Sequence, residues 1–169
     1  LKFLVIWRVA RLWALLDGVT TVENLPCCVS NHYSLRGFWR DWHCSFNRWL
    51  VRYIYVPLGG RKWQMLNVWV VFGFTALWHD VQPKLLAWAA GNGALFVIET
   101  AARRAWRHAA VCELRSHHPE TSRRVAGLAG TINVAALIAI NLAAYGGYGP
   151  AGVRRMVAAA LSPTGDWLV

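Results

Sequence analysis

Three apolar runs, residues 63–78, 85–102 and 125–145, constrain this chain more than any other feature. The third is long enough for a bilayer crossing, which takes about 20 residues. The first is shorter. Its sixteen residues reach roughly 24 Å as a helix, against a hydrocarbon core of ~30 Å. A helix entering from the surface near Lys62 would therefore leave His79 at membrane depth or barely past it. Composition agrees: hydrophobic residues make up 56% and charged residues only 15%, with eleven tryptophans. The net charge of +10 suits an anionic lipid surface. Nucleic-acid binders seldom set long apolar runs beside their basic patches, so no nucleic-acid partner is expected.

The basic residues fall into two groups. Arg48, Arg52, Arg61 and Lys62 precede the first run, and Arg103, Arg104, Arg107, Arg123 and Arg124 follow the second. Two crossings put both groups on one side, which the positive-inside bias makes cytosolic; a re-entrant hairpin gives the same placement. Residues 1–33 read as a helix end and connector. Residues 34–62 contain GFWRDWHCSFNRWLVRYIYVPLGG, predicted as one amphipathic helix stopped by Pro57, Gly59 and Gly60. At about 100° per residue, Trp39, Trp42, His43, Phe46, Trp49, Leu50 and Tyr53 share one arc. Arg40, Asp41, Cys44, Asn47, Arg48 and Arg52 take the other, so His43 sits at the edge of the apolar face. Residues 63–102 are expected as two short apolar helices carrying His79, separated by a break at Pro83. Residues 103–124 are expected as an exposed basic loop, and 125–169 as C-terminal helices with a short last one at 153–161. The chain opens mid-pattern, without methionine or leader, so further spans upstream are expected. None of the four cysteines forms a CxxC pair, which indicates neither a zinc site nor a disulfide framework. Cys27 and Cys28 read as reduced thiols, with palmitoylation as the alternative.

An ionisable side chain inside a membrane is costly and is a functional hypothesis by default. His79 is the clearest case, with FGFTALW before it; the plain alternative is an interfacial residue ending a helix beside Asp80. His43 stands at the boundary of an aromatic helix, where histidines also serve ordinary packing. His43 and His79 lack the carboxylates and close spacing of a ligand set, so no metal is expected there. Desolvation keeps an imidazole neutral and able to take a proton from a hydroxyl. Arginines such as Arg40, Arg48, Arg52 and Arg61 are suited to the phosphates of a nucleotide-like co-substrate. A basic face, an apolar tunnel and a buried base together suit acyl transfer from a thioester.

FWRDWHCSFNRWLVRYIYVPLGG followed by FGFTALWHD resembles the signature region of the membrane-bound O-acyltransferase (MBOAT) family. RLWALLDGVTTVENLPCCVSNHYSLRGFWR upstream is similar to its glycerol-uptake-protein-like branch, related to hedgehog acyltransferase. The resemblance covers about residues 1–99. It implies an all-α, multi-span transmembrane bundle of which this chain is a C-terminal portion, with upstream spans completing the tunnel. It also implies acyl-CoA as co-substrate, no bound cofactor, and a membrane lipid acceptor such as a glycolipid-anchor precursor, in the endoplasmic reticulum. His79 in ALWHD matches the family's general base, and His43 in FWRDWH its second polar position. Arg40, Arg48, Arg52 and Arg61 would face acyl-CoA phosphates or headgroups. Trp78 would shape the acyl channel or simply pack. Membrane transport or regulation and a catalytically silent scaffold are the competing functions.

Overall fold

The computed structural model describes residues 2–145 together with 151, 152, 154, 155, 157 and 158. Among the described residues up to Tyr145, seven α-helices follow in order: α1 Lys2–Leu16, α2 Leu35–Asp41, α3 Cys44–Leu50, α4 Gln64–His79, α5 Pro83–Trp106, α6 Ala109–His117 and α7 Pro119–Tyr145. No strand occurs among the described residues.

α4 and α5 form an antiparallel hairpin, and α7 lies antiparallel along α5. Two glycines of α5 set these distances. A Cβ at Gly93 would come within 2.7 Å of the Trp69 ring of α4, and one at Gly91 within 3.1 Å of Ile140 of α7. In lipid, apolar burial does not drive helices together, so such close approach supplies the packing. Polar side chains add ties at both ends. Trp88 Nε1 donates to Asn141 Oδ1 at 3.1 Å, and Asn133 Nδ2 donates to Glu99 Oε2 at 2.8 Å. Glu99 also accepts from the Leu35 backbone N–H (2.7 Å) and Arg103 (2.9 Å), joining α2, α5 and α7 at one point.

This antiparallel arrangement puts the start of α4, the end of α5 and the start of α7 at one end of the bundle. Arg61, Lys62, Arg103, Arg104, Arg123 and Arg124 collect there, and His79 and Tyr145 mark the other end. Among the described residues, α5 and α7 are the two helices long and apolar enough to cross a membrane. α4, at 16 residues, is not.

The break expected at Pro83 is present at residues 80–82, and Pro83 itself opens α5, because its missing N–H and fixed φ suit the first helical turn. Two segments differ from the sequence expectation. Residues 103–124 are largely helical, in the end of α5, α6 and the start of α7; their alanines, arginines and glutamates are good helix formers. The stretch expected as one amphipathic helix is two, α2 and α3, with a reversal between them. Of the last helix expected at 153–161, residues 154, 155, 157 and 158 are helical, and the rest lie outside the described residues.

Candidate active site

The reversal between α2 and α3 builds the site. α2 lies along α5: the Leu35 N–H bonds Glu99, while Trp39 Nε1 donates to Asn92 Oδ1 at 3.0 Å. α3 then runs back beside α4, with Phe46 stacked on Trp78 (4.5 Å) and Trp49 on Phe74 (5.6 Å). The corner falls at Trp42–His43, at the same end of the hairpin as His79.

His43 makes the turn itself. Its backbone is left-handed (φ 52°, ψ 58°), the one non-glycine residue with positive φ among those described. Such a conformation costs about 1–3 kcal/mol at a residue with a Cβ. Part of that is offset by capping, since the ring Nδ1 accepts from the Phe46 N–H at 3.2 Å, satisfying an open donor of α3. That bond also fixes the tautomer. With Nδ1 accepting, the neutral ring carries its proton on Nε2 and presents a donor outward. Burial holds the His43 imidazole below the ordinary histidine range, which favours this neutral form.

An aromatic chain links the two imidazoles. Trp7 of α1 packs edge-on against His43 (4.8 Å), and His43 meets Phe46 (5.4 Å). Trp78, stacked on Phe46, lies 4.8 Å from the His79 ring. His79 is exposed at the last residue of α4, edge-on to Tyr145 (5.6 Å) and Trp88 (6.1 Å). Beneath it, Trp88 and Asn92 are buried, and the Asn92 amide donates to the Trp88 carbonyl. The two histidines named from sequence therefore occupy the same end of the hairpin, with a donor on His43 and an accessible ring on His79.

The four arginines do not gather. Arg48, Arg52 and Arg61 are exposed along α3 and the following turn, descending toward the basic end. Arg52 lies over the Tyr53 ring, 5.7 Å from its centroid. Arg40 instead stands on α2, locked on Asp41 through two bonds of 2.8 and 2.9 Å. The helical wheel drawn through 34–62 fails at the corner: Cys44, placed on the polar arc, is buried, because the register restarts at His43.

Sequence reasoning missed the asparagines. Asn67 is buried, and its amide donates to the carbonyls of Tyr55 (3.5 Å), Leu58 (3.1 Å) and Gly60 (3.2 Å), holding the PLGG turn against α4. Asn92 and Asn141 anchor the two tryptophan indoles. The signal was present: each is a lone polar residue in an apolar run, where an unpaired amide is unfavourable.

His43→Asn tests the corner directly. Asparagine tolerates the left-handed conformation and caps helices well. This variant is expected to fold like the wild type and to keep partial activity, whereas His43→Ala loses cap and donor together. Equal kcat for the two variants, with matched thermal stability, would remove His43 from the chemistry.

The chain thus forms an all-α bundle among the described residues, with two helices long and apolar enough to cross a membrane, two imidazoles near one end and a group of arginines at the other. The chain belongs to the membrane-bound O-acyltransferase family, whose sequence profile matches residues 1–121. It is 42% identical over 142 residues to the membrane-bound O-acyltransferase GUP2 of Saccharomyces cerevisiae, covering 84% of this chain and 22% of that protein. To GUP1 of the same yeast it is 58% identical over 88 residues, 52% of this chain and 16% of that protein. To the protein-cysteine N-palmitoyltransferase HHAT of Mus musculus it is 34% identical over 152 residues, 86% of this chain and 30% of that protein. The chain thus spans less than a third of the length of each of these relatives. The resemblance read from FWRDWH and ALWHD, including its glycerol-uptake-like branch, is borne out.

Proposed function

We propose that the full-length protein moves a long-chain fatty acyl group from acyl-CoA to a hydroxyl of a membrane lipid, with His79 as general base. The acceptor is a glycerol-bearing lipid such as a glycolipid-anchor precursor, and the location is the endoplasmic reticulum, in a multi-pass bundle. The observation that carries the reading is the placement of His43 and His79 at one end of the hairpin, linked through Phe46 and Trp78. His79 takes the hydroxyl proton as the oxygen attacks the thioester carbonyl. The new C–O bond forms, the C–S bond breaks, and the proton passes to the departing CoA sulfur. His43, with Nδ1 occupied by the Phe46 N–H, donates from Nε2 toward the thioester carbonyl or the acceptor. The reading rests on the similarity to O-acyltransferases and to a protein-cysteine N-palmitoyltransferase, all of which transfer acyl groups.

Arg48, late in α3, and Arg52, just beyond it, are exposed on the segment that leads toward the basic end, where acyl-CoA phosphates would arrive from the cytosol. A phosphate contact is the same in ground and transition states, so its loss raises KM with little change in kcat. Arg48→Ala and Arg52→Ala are expected to do this, and an unmoved KM for acyl-CoA would leave them as headgroup anchors. The decisive experiment is acyl-CoA consumption by purified full-length protein, with lipidomics of cells lacking it to identify the acylated lipid that disappears. Binding of acyl-CoA without turnover would favour the transport or scaffold reading.

A further inference from the structure

Away from the two catalytic candidates, three side chains with metal-binding atoms meet where the connector packs on α2. Cys27 Sγ lies 3.2 Å from His32 Nε2 and 3.7 Å from Asp41 Oδ2, and His32 Nε2 lies 3.8 Å from the same carboxylate oxygen. His32 and Asp41 are largely buried, their side chains only 10% and 13% exposed. Three different donor types, S, N and O, thus point at one position.

The spacing separates two explanations. In a nucleophile–base–carboxylate relay, the carboxylate holds the imidazole nitrogen opposite the one facing the nucleophile. Here sulfur and carboxylate both approach Nε2, so the atoms converge instead of forming a chain. For tetrahedral zinc, bond lengths of about 2.0–2.3 Å require ligand atoms about 3.3–3.6 Å apart. The three observed edges, 3.2, 3.7 and 3.8 Å, bracket that range and need shifts of a few tenths of an ångström.

The surroundings fit as well. Arg40 grips both oxygens of Asp41, fixing the carboxylate as outer-shell partners of metal ligands do. Ser34 caps α2 through the Gly37 N–H at 3.1 Å. A Cβ at Gly37 would lie 3.3 Å from His32 Nδ1, so the missing side chain lets the first turn of α2 close onto the ring. A cavity of about 420 Å³ opens on all three residues. Cys28 turns to Ser30 instead, Sγ to Oγ 3.0 Å.

We propose that Cys27, His32 and Asp41 bind a zinc ion, with its fourth position open to this cavity. Cys27 enters as the thiolate, releasing its proton to water, and the neutral imidazole binds through Nε2. The charges of thiolate and carboxylate balance the dication. An open fourth position is the arrangement of sites that hold water or an exchangeable anion. The ion would clamp the connector to α2 two residues before His43, and its binding is independent of acyl transfer.

The test uses full-length protein in detergent, stripped with a chelator and titrated with Co²⁺, then with Zn²⁺. Expected are a thiolate-to-cobalt charge-transfer band, tetrahedral d–d absorption, displacement by zinc, and a thermal midpoint raised by zinc. Cys27→Ser should abolish the charge-transfer band, and Asp41→Asn should weaken cobalt binding by at least about tenfold. Cys28→Ser should change neither. Absence of the band in wild-type protein, or a band that survives Cys27→Ser, overturns the site. Should Asp41→Asn fail to fold, the wild-type titration and Cys27→Ser still decide.

Discussion

Replacing His79 by alanine in the full-length protein is expected to lower kcat for acyl transfer by about 10²–10⁴-fold, the usual contribution of a general base. The loss should fall on kcat and kcat/KM alike, because proton transfer belongs to the transition state. pH dependence adds a second signature. The base acts as neutral imidazole, so wild-type rate should rise with pH through an imidazole titration: below it the ring is already protonated and cannot accept. His79→Ala should lose that rising limb. Combined with His43→Ala, the loss should be smaller than the product of the separate losses, as for residues acting in one unit. Near-normal kcat in His79→Ala, with expression and folding matched, would sink the mechanism and put the transport or scaffold reading ahead.

Trp88→Ala is expected to be the most destabilising single change in the described bundle. Trp88 is 2% exposed and touches Trp39, Phe72, His79 and Tyr145, while its Nε1 bonds Asn141. Truncating a buried tryptophan removes about 3–5 kcal/mol in soluble cores. Lipid lowers the transfer part of that figure, so about 3 kcal/mol is the expected loss, with Asn141 Oδ1 left without its donor while Nδ2 keeps the Leu137 carbonyl. Thermal unfolding in detergent measures it. Trp88→Phe, which keeps a ring against His79 but not the N–H, should lose roughly 1 kcal/mol, the worth of a typical hydrogen bond. A Trp88→Ala protein as stable as wild type would mean that α5 and α7 are held elsewhere.

The apolar runs made α4, α5 and α7 legible, because hydropathy reports burial in lipid or protein whatever the partner. His43 and His79 were legible for the same reason: an ionisable group stands out against tryptophan and phenylalanine. The corner at Trp42–His43 was not. Neither glycine nor proline marks it, and the wheel through 34–62 stays amphipathic across the break. Tertiary contacts decide the matter, with Trp39 drawn to Asn92 and Phe46 to Trp78 on different helices. The Cys27–His32–Asp41 cluster was hidden more deeply. Its members come from a connector and a short helix, and their spacing matches no metal pattern until α2 folds over the connector.

The left-handed backbone at His43 separates what selection for folding prefers from what the chemistry proposed for that ring would require. A population under pressure only to keep this protein intact would drift toward glycine there, which bears no Cβ penalty at positive φ, or toward asparagine, which caps as well. Asparagine lies one nucleotide from histidine in the genetic code. Under the proposed mechanism, a folded but catalytically weakened descendant is therefore a single mutational step away, on a path that thermodynamic stability does not oppose.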